Sequence, residues 1–306
     1  MKELKILAVV VTLVAVMFYG IEPYAHHVMH PEPAPVDFEY SDLKTVDSTL
    51  KGDVTNGKAL VEMNCIACHS IESEGFAKMM PDADAASAYG VTPPDLSIAG
   101  HIYNKNYLVN FIANPTKAMK VEGKYSDNKP FPMPNYDWMS AQELNDMAAY
   151  LASIKHTKKE TVIEQRKEVF EAACVRCHSM QYAGIAALTP EDIATKHFGS
   201  TPPDLSQMIK SRGHHFLESF INDPQQLLHG TAMPRVGLTA EAQEEVITYM
   251  ENIGDRKKAE REAIAPWILG YLFILALLAY AWKQKIWKDL HSLTPEDIAT
   301  KHFGST

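Results

Sequence analysis

The sequence predicts a mostly α-helical protein, two small helical modules in tandem with an apolar helix at each end. Three observations predict it. The chain of 306 residues is 46% hydrophobic and 22% charged, the balance of a folded protein with room for about two domains. Two uncharged runs, Ile6–Ile21 and Ala263–Trp282, lie near its ends. Between them one set of short motifs occurs twice, 109 residues apart.

The first apolar run follows Lys2 and Lys5, and its 16 residues make roughly 24 Å of helix. A secretory signal starts the same way, but Tyr19–Ala25 offers no small-x-small cleavage site, which favours a retained anchor over residues 1–22. The second run, residues 263–282, is 20 residues or about 30 Å long, enough to span a hydrocarbon core. Pro266 suits its first turn. Trp267 at one end and Tyr280, Trp282 and Trp287 at the other form an aromatic belt. Lys283, Lys285 and Lys288 follow, so the positive-inside rule puts residues 283–306 in the cytoplasm and residues 22–262 outside. Residues 21–265 carry 34 acidic and 23 basic side chains, a net of −11 against −9 for the whole chain. Such a surface suits a partner with a basic face and excludes nucleic acid.

The segment from His30 through the acidic run to Asp53 reads as a stiff, exposed tether, residues 23–52 in all. The modules follow as residues 53–155 and 156–258, with the polar Lys155–Lys159 between them. Each opens with a helix, Asn56–Asn64 and Thr161–Ala173, in which Val61 and Phe170 stand four residues before a cysteine and so share its face. Next come Cys65-Ile66-Ala67-Cys68-His69 and Cys174-Val175-Arg176-Cys177-His178. Thr-Pro-Pro-Asp-Leu-Ser recurs at 92–97 and 201–206, and Phe111 is matched by Phe220. Met133-Pro134 and Met233-Pro234 are 100 apart, because the first copy has a longer loop around Gly123–Lys129. A closing helix completes each module: Ser140–Ile154, with Ser140 and Glu143 as a capping box, and Thr239–Ile253, with Thr239 as N-cap.

Four cysteines in two close pairs, each followed by histidine, do not resemble a disulfide framework. The spacing is that of c-type haem attachment, in which two thiols add across vinyl groups and the adjacent imidazole is placed beneath the iron. It also matches a redox dithiol, which calls for an α/β context, and a zinc half-site, which calls for a closed set of four ligands. Two copies with the same downstream elements favour two covalently bound haem c groups. His69 and His178 are then one axial ligand of each iron. Met133 and Met233, at parallel positions before the last helix, are the candidates for the other; such ligation raises the potential and suits electron transfer. Met79, Met80, Met119, Met139, Met180 and Met208 are rivals, as are His101, His214 and His215.

From the cysteine pair to the Met-Pro loop and final helix, both modules resemble class I cytochrome c domains, over about residues 53–253. Pro202–Arg212 is similar to a stretch of cytochrome c1, the haem subunit of quinol–cytochrome c reductases. The first module carries only Pro93–Ser97 of it and has no matching arginine. In that family the arginine lies near a haem propionate, so the resemblance implies this contact for Arg212. Ordinary cytochrome c1 has one haem. With two attachment motifs the chain resembles the dihaem c1-type subunit of some bacterial cytochrome bc complexes. The resemblance implies an electron-transfer subunit on the periplasmic side of the inner membrane, beside cytochrome b and a Rieske iron–sulfur protein. It would pass single electrons to a soluble cytochrome c or a terminal oxidase, with no catalytic residue of its own. The dihaem subunit of cbb3-type oxidases is the alternative, but that family is anchored at the amino end only. A dihaem peroxidase-like enzyme would need unequal modules with one open iron. His26, His27 and His30 read as a wet interfacial cluster. Leu293–Thr306 repeats Leu188–Thr201 over 14 residues without a difference, and reads as a duplicated cytoplasmic tail.

Overall fold

Two pairs of helices frame the two modules, and local sequence decides where each helix begins. In the computed structural model, which describes residues 2–29, 35–126, 128–156 and 159–292, Val54–Asn64 packs on Ala141–Ser153 and Val162–Cys174 on Ala240–Gly254. Ser140 and Glu143 form the expected capping box, with the Ser140 N–H donating to Glu143 over 2.8 Å. Thr161 and Glu164 form a second one. Thr239 Oγ1 accepts from the Ala242 N–H, and the Asp53 carboxylate caps the first helix through Thr55 and Asn56. Each cap satisfies amide groups that have no partner within their helix, worth about 1 kcal/mol. Among the described residues the remainder is short helices and four isolated β-bridges, with no strand.

Val61 and Phe170 are both fully buried, as their spacing before the cysteines requires. The first core joins Val61 to Leu108, Val109, Leu144, Met147 and Leu151. The second joins Phe170, which packs on Tyr249 at 5.1 Å, to Ile221, Val246, Ile247 and Met250. Full burial of such side chains stabilises by roughly 1.5–3 kcal/mol each. Gly57 lets the first pair cross closely, since a Cβ there would lie 1.9 Å from the Asp146 carbonyl oxygen.

The modules meet in one compact unit that ends at Gly254. Ile98 and Ile102 of the first module belong to the second core. The Asn104 N–H donates to Gly237 O and the Thr239 N–H to Ile102 O, both at 2.9 Å, around a bridge between Tyr103 and Leu238. Tyr107 donates its hydroxyl to Arg235 O over 2.7 Å. In the polar linker His156 stacks on His101, at 4.7 Å, and pairs with Glu168; Thr157 and Lys158 lie outside the described residues.

Two expectations are corrected. The run to Asp53 is not an exposed tether, for residues 35–53 pack across both modules. Tyr40 and Leu43 are buried against Tyr107 and Ala118. Tyr40 donates to Leu238 O, Asp37 gives its N–H to Asn222 Oδ1 and accepts from Asn222 Nδ2 at its carbonyl, and Val46 gives its N–H to Asn110. Glu39 and Asp47 stay exposed, Asp42 reaches the buried Arg235, and Tyr40 and Leu43 face in. Residues 30–34 of the predicted tether, His30 among them, lie outside the described residues.

Pro266 is the second correction. The C-terminal helix, a separate unit, spans Lys258–Ser292 and contains Pro266 in its interior. The charged turn before it is helical in its own right, supported by Lys257–Glu260 and Arg261–Asp255 ion pairs, so the helix starts well ahead of the proline. At the other end the helical run continues to Met29, past Ile21, and takes in His26 and His27. It holds a π-turn at Met17–Ile21, closed by a bond from the Glu22 N–H to Met17 O just before Pro23. Proline cannot donate and crowds the preceding turn, and a widened turn relieves both. Two helical spans, Leu4–Met29 and Lys258–Lys288, are long and apolar enough to cross a membrane, and neither is buried in the protein. The duplicated tail, residues 293–306, lies outside the described residues.

Candidate functional site

Each cysteine pair turns off the end of its module's opening helix. The His69 N–H donates to Cys65 O over 2.9 Å and the His178 N–H to Cys174 O over 3.0 Å. One loop thereby carries both thiols and the imidazole. The imidazole is held from behind: His69 Nδ1 lies 2.9 Å from Pro94 O, and His178 Nδ1 lies 2.8 Å from Pro203 O. A carbonyl only accepts, so Nδ1 carries the proton in both rings and Nε2 keeps its lone pair for a metal.

These contacts explain the repeated Thr-Pro-Pro-Asp-Leu-Ser. Its proline carbonyl backs the histidine, and its aspartate ties the segment to the residues just after that histidine. Asp95 accepts from the N–H groups of Glu72 and Ser97. Asp204 accepts from Ser179 Oγ (2.7 Å) and from the N–H groups of Gln181 and Ser206 (both 2.9 Å). The Leu96 and Leu205 N–H groups donate to Ser70 O and Ser179 O, each at 2.9 Å. Burial opposes ionisation of both aspartates, but these hydrogen bonds outweigh it and hold the carboxyls below their ordinary range.

Burial pushes His69 and His178 down, towards the neutral form that a metal ligand needs, although the proline carbonyls work against it. Burial also pushes the Cys65 and Cys174 thiols up to about 12. A redox dithiol depends on a lowered thiol pKa, so these loops do not suit one. Among the described residues no three His, Cys, Asp or Glu side chains converge on one point, as a closed zinc site requires. The donor set fits a haem c: two thiols for thioethers and one imidazole presenting Nε2.

Met133 and Met233 are both half-buried. Tyr136, three residues after Met133, donates its hydroxyl to Asn64 O beside Cys65. Met233 and Cys174 pack on the same core. Among the rivals, Met119, Met139 and Met180 are sealed in the interior. Met208 packs on the second core. Met79 and Met80 line a small cavity with Cys68, Thr92 and Pro93, next to the proline segment that backs His69. His101 lies by Glu245, His214 by Glu244 and His215 by Glu218. Arg212 is exposed, its guanidinium 5.3 Å above the Phe216 ring.

Three further residues near these loops are not among the site residues that the sequence predicts. Arg235, only 3% exposed, follows Met233-Pro234 and makes two 3.0 Å hydrogen bonds to Asp42 of the strap. It also reaches Asp223 at 3.3 Å, so residues 35–53 help to fix the second methionine loop. Tyr125 belongs to the longer loop of the first module, whose extra length was the available signal. That loop crosses to the second module: Tyr125 Oη lies 3.3 Å from His197 Nε2, Lys124 donates to Gly230 O, and Lys129 donates to His197 O. Burial pushes Tyr125 up to about 12, and Cys177 acts in the same direction. Arg176 is the third, sitting in a position that the haem-attachment pattern leaves blank.

The family model for cytochrome c matches residues 54–155 and again residues 163–254. Cytochrome c-554(547) of Halothiobacillus neapolitanus is similar, 28% identical over 104 residues that make up 34% of this chain and 99% of that protein. A chain of a solved hyperthermophilic respiratory complex III is also similar, with a TM-score of 0.34 and 24% identity over 44% of this chain and 80% of that one. Each family match encloses one cysteine turn, the proline carbonyl behind its histidine and one Met-Pro loop. With the two matches spanning most of its length, the chain belongs to the cytochrome c family, whose domains bind haem c covalently and transfer electrons.

Proposed function

We propose that this chain is a membrane-anchored dihaem relay for single electrons. Cys65 and Cys68 hold one haem c, and Cys174 and Cys177 the other. His69 and His178 would bind iron through Nε2, Met133 and Met233 would supply the second ligand of each iron, and Arg212 would meet a carboxylate of the second haem. The bound group supplies a reversible one-electron couple. The chain supplies attachment, a fixed imidazole tautomer, a closed ligand sphere and shielding from water. No side chain has to break or make a substrate bond, so no catalytic residue is assigned. The observation that carries this reading is the twofold contact of His69 with Pro94 O and His178 with Pro203 O, which prepares both imidazoles as ligands.

The two apolar helices support anchoring at both ends, with residues 22–262 on the periplasmic side of a bacterial inner membrane. The similarity of Pro202–Arg212 to cytochrome c1 supports a place in a quinol–cytochrome c reductase. There it takes electrons from a Rieske protein beside cytochrome b, and gives them to a soluble cytochrome c or terminal oxidase. A pyridine haemochrome assay will find two c-type haems per chain; fewer than two refutes the relay. Rapid binding of cyanide or peroxide at one ferric haem would favour a peroxidase-like enzyme. Purification from the native membrane will bring down cytochrome b and a Rieske protein, whereas a copper–haem oxidase core would transfer the chain to a cbb3-type complex.

A further inference from the structure

Arg176 stands between the two cysteines of the second module, where the first module has Ala67. Its neighbour Val175 is buried in the second core, and its own carbonyl accepts from the Thr189 N–H at 3.1 Å. Thr189 Oγ1 in turn accepts from the Thr92 N–H, also at 3.1 Å, two residues before the Pro94 that backs His69. Two hydrogen bonds thus link the backbone of Arg176 to the histidine support of the other module. Its guanidinium Nε is sealed from solvent and has no hydrogen-bond partner among the described residues. The groups that act most on its charge are Tyr103, Tyr107 and the two cysteines of its own turn. It also acts on His69 of the first module. An arginine stays charged, and a half-buried guanidinium with an unpaired donor is unfavourable unless an anion completes it.

The repeat indicates which anion. At the spacing of 109 residues, Arg212 of the second module corresponds to Tyr103 of the first. Tyr103 packs against both cores and is within electrostatic reach of Arg176. Where the first module lacks an arginine of its own, a guanidinium therefore arrives from the second. We propose that Arg176 holds a carboxylate of the haem carried by the first module, supplied across the junction in place of the arginine missing at Tyr103. The inference rests on the haem reading of the Cys65–His69 loop. It makes Arg176 a cofactor-binding residue of one haem within the attachment motif of the other.

The test uses the full-length holoprotein in detergent. A pyridine haemochrome count of fewer than two haems would refute the relay reading itself; with two present, the remaining measurements bear on Arg176 alone. A structure of the holoprotein will place the Arg176 guanidinium about 2.7–2.9 Å from a carboxylate oxygen of the haem bound at Cys65 and Cys68. Contact with no carboxylate, or only with one of the other haem, overturns the proposal. In a redox titration, R176Q will lower one of the two one-electron steps by about tenfold in its equilibrium constant, 59 mV for a single electron. Loss of a positive charge favours the oxidised iron. R176K, which keeps the charge without the fork, will fall between R176Q and the wild type, and it replaces R176Q if that variant does not take up haem. A titration in which neither step moves, or both move equally, also overturns it.

Discussion

Asp42→Ala asks whether residues 35–53 hold the second methionine loop. The Asp42 carboxylate makes two parallel 3.0 Å hydrogen bonds with Arg235 and lies 3.6 Å from Lys120, while Arg235 keeps Asp223 at 3.3 Å. Breaking a fully buried pair by removing one partner costs about 3–5 kcal/mol, and an exposed pair contributes at most about 1 kcal/mol. Arg235 is 3% exposed but the Asp42 side chain is 45% exposed, so the loss lies between, at about 1.5–3 kcal/mol. With Arg235→Met it forms a double-mutant cycle whose coupling should reach about 1–2 kcal/mol.

The sign of the pH dependence follows from the same contact. Burial works against the Asp42 charge, but the hydrogen bonds and charge of Arg235, with Lys120, hold its carboxyl below the ordinary range. The folded pKa is lower than the unfolded value of about 3.9, so the stabilisation is complete above that value and disappears as pH falls through the folded one. The gap between wild type and Asp42→Ala will persist from neutral pH to about 5 and close on further acidification. Urea titration of the holoprotein reads both effects, with far-UV circular dichroism for the helices and, on the proposed methionine ligation, the methionine–iron absorption band for the ligand loop. Met233 is two residues from Arg235, so in the variant the band of one haem will fade at lower urea than the helix signal. A coupling under about 0.5 kcal/mol, or a gap that does not narrow below pH 4, refutes the role given to the strap.

Asp204→Asn turns one acceptor oxygen into a donor facing Ser179 Oγ and the Gln181 N–H, and will cost about 1–2 kcal/mol at neutral pH in thermal melts. The carboxyl is held low in the folded state, so this deficit will shrink below pH 4; a deficit unchanged down to pH 2 counts against the contact. Tyr125→Ala removes the contact with His197 and loosens the long loop on the second module, which will lower the potential of one haem by admitting water. Identical titration curves would remove the loop from that site. Gly237 has φ +80° and faces Tyr107 so closely that a Cβ would lie 2.0 Å from its ring. Gly237→Ala will destabilise the junction by about 1–3 kcal/mol in calorimetry, and an unchanged melting temperature would mean that the modules do not meet there.

The features legible in the sequence are those set by near neighbours along the chain. Ser140 with Glu143 and Thr239 with Ala242 need only one helical turn, and Val61 and Phe170 show their burial by their spacing from a cysteine. The cysteine turns were legible because covalent attachment demands an invariant local spacing. Features that depend on a partner from elsewhere in the chain were not. Tyr40 stands in an acidic, aperiodic stretch, and its burial depends on Tyr107 and Leu238, far along the chain. Pro266 looked like a helix start because the apolar run begins there, whereas the charged turn before it decides the start. The Asp of Pro-Pro-Asp-Leu-Ser was visible as a repeat, but its bonds to the residues after the histidine appear only once the loop is folded.

The places where the two copies differ are also the places where they touch. Arg176 replaces Ala67, Tyr103 replaces Arg212, and the long loop bearing Tyr125 has no counterpart in the second module, yet each reaches across the junction. A duplicated unit that kept both copies alike would give two equivalent sites, and an electron would have no preferred direction between them. Divergence confined to solvent would leave each site's charges and water access nearly unchanged. Divergence at the junction sets Tyr125 of the first module against His197 of the second, and places Arg176 where its backbone is linked through Thr189 to Thr92, beside the histidine support of the first. On the relay reading, the junction is what makes the two haem environments unequal, and neither module carries its own environment complete. The cores agree: Ile98 and Ile102 are first-module residues packed in the second core. The second module expressed alone would expose that surface and lose the strap contact to Arg235, so it should bind its haem in a looser, less stable form than the intact chain does.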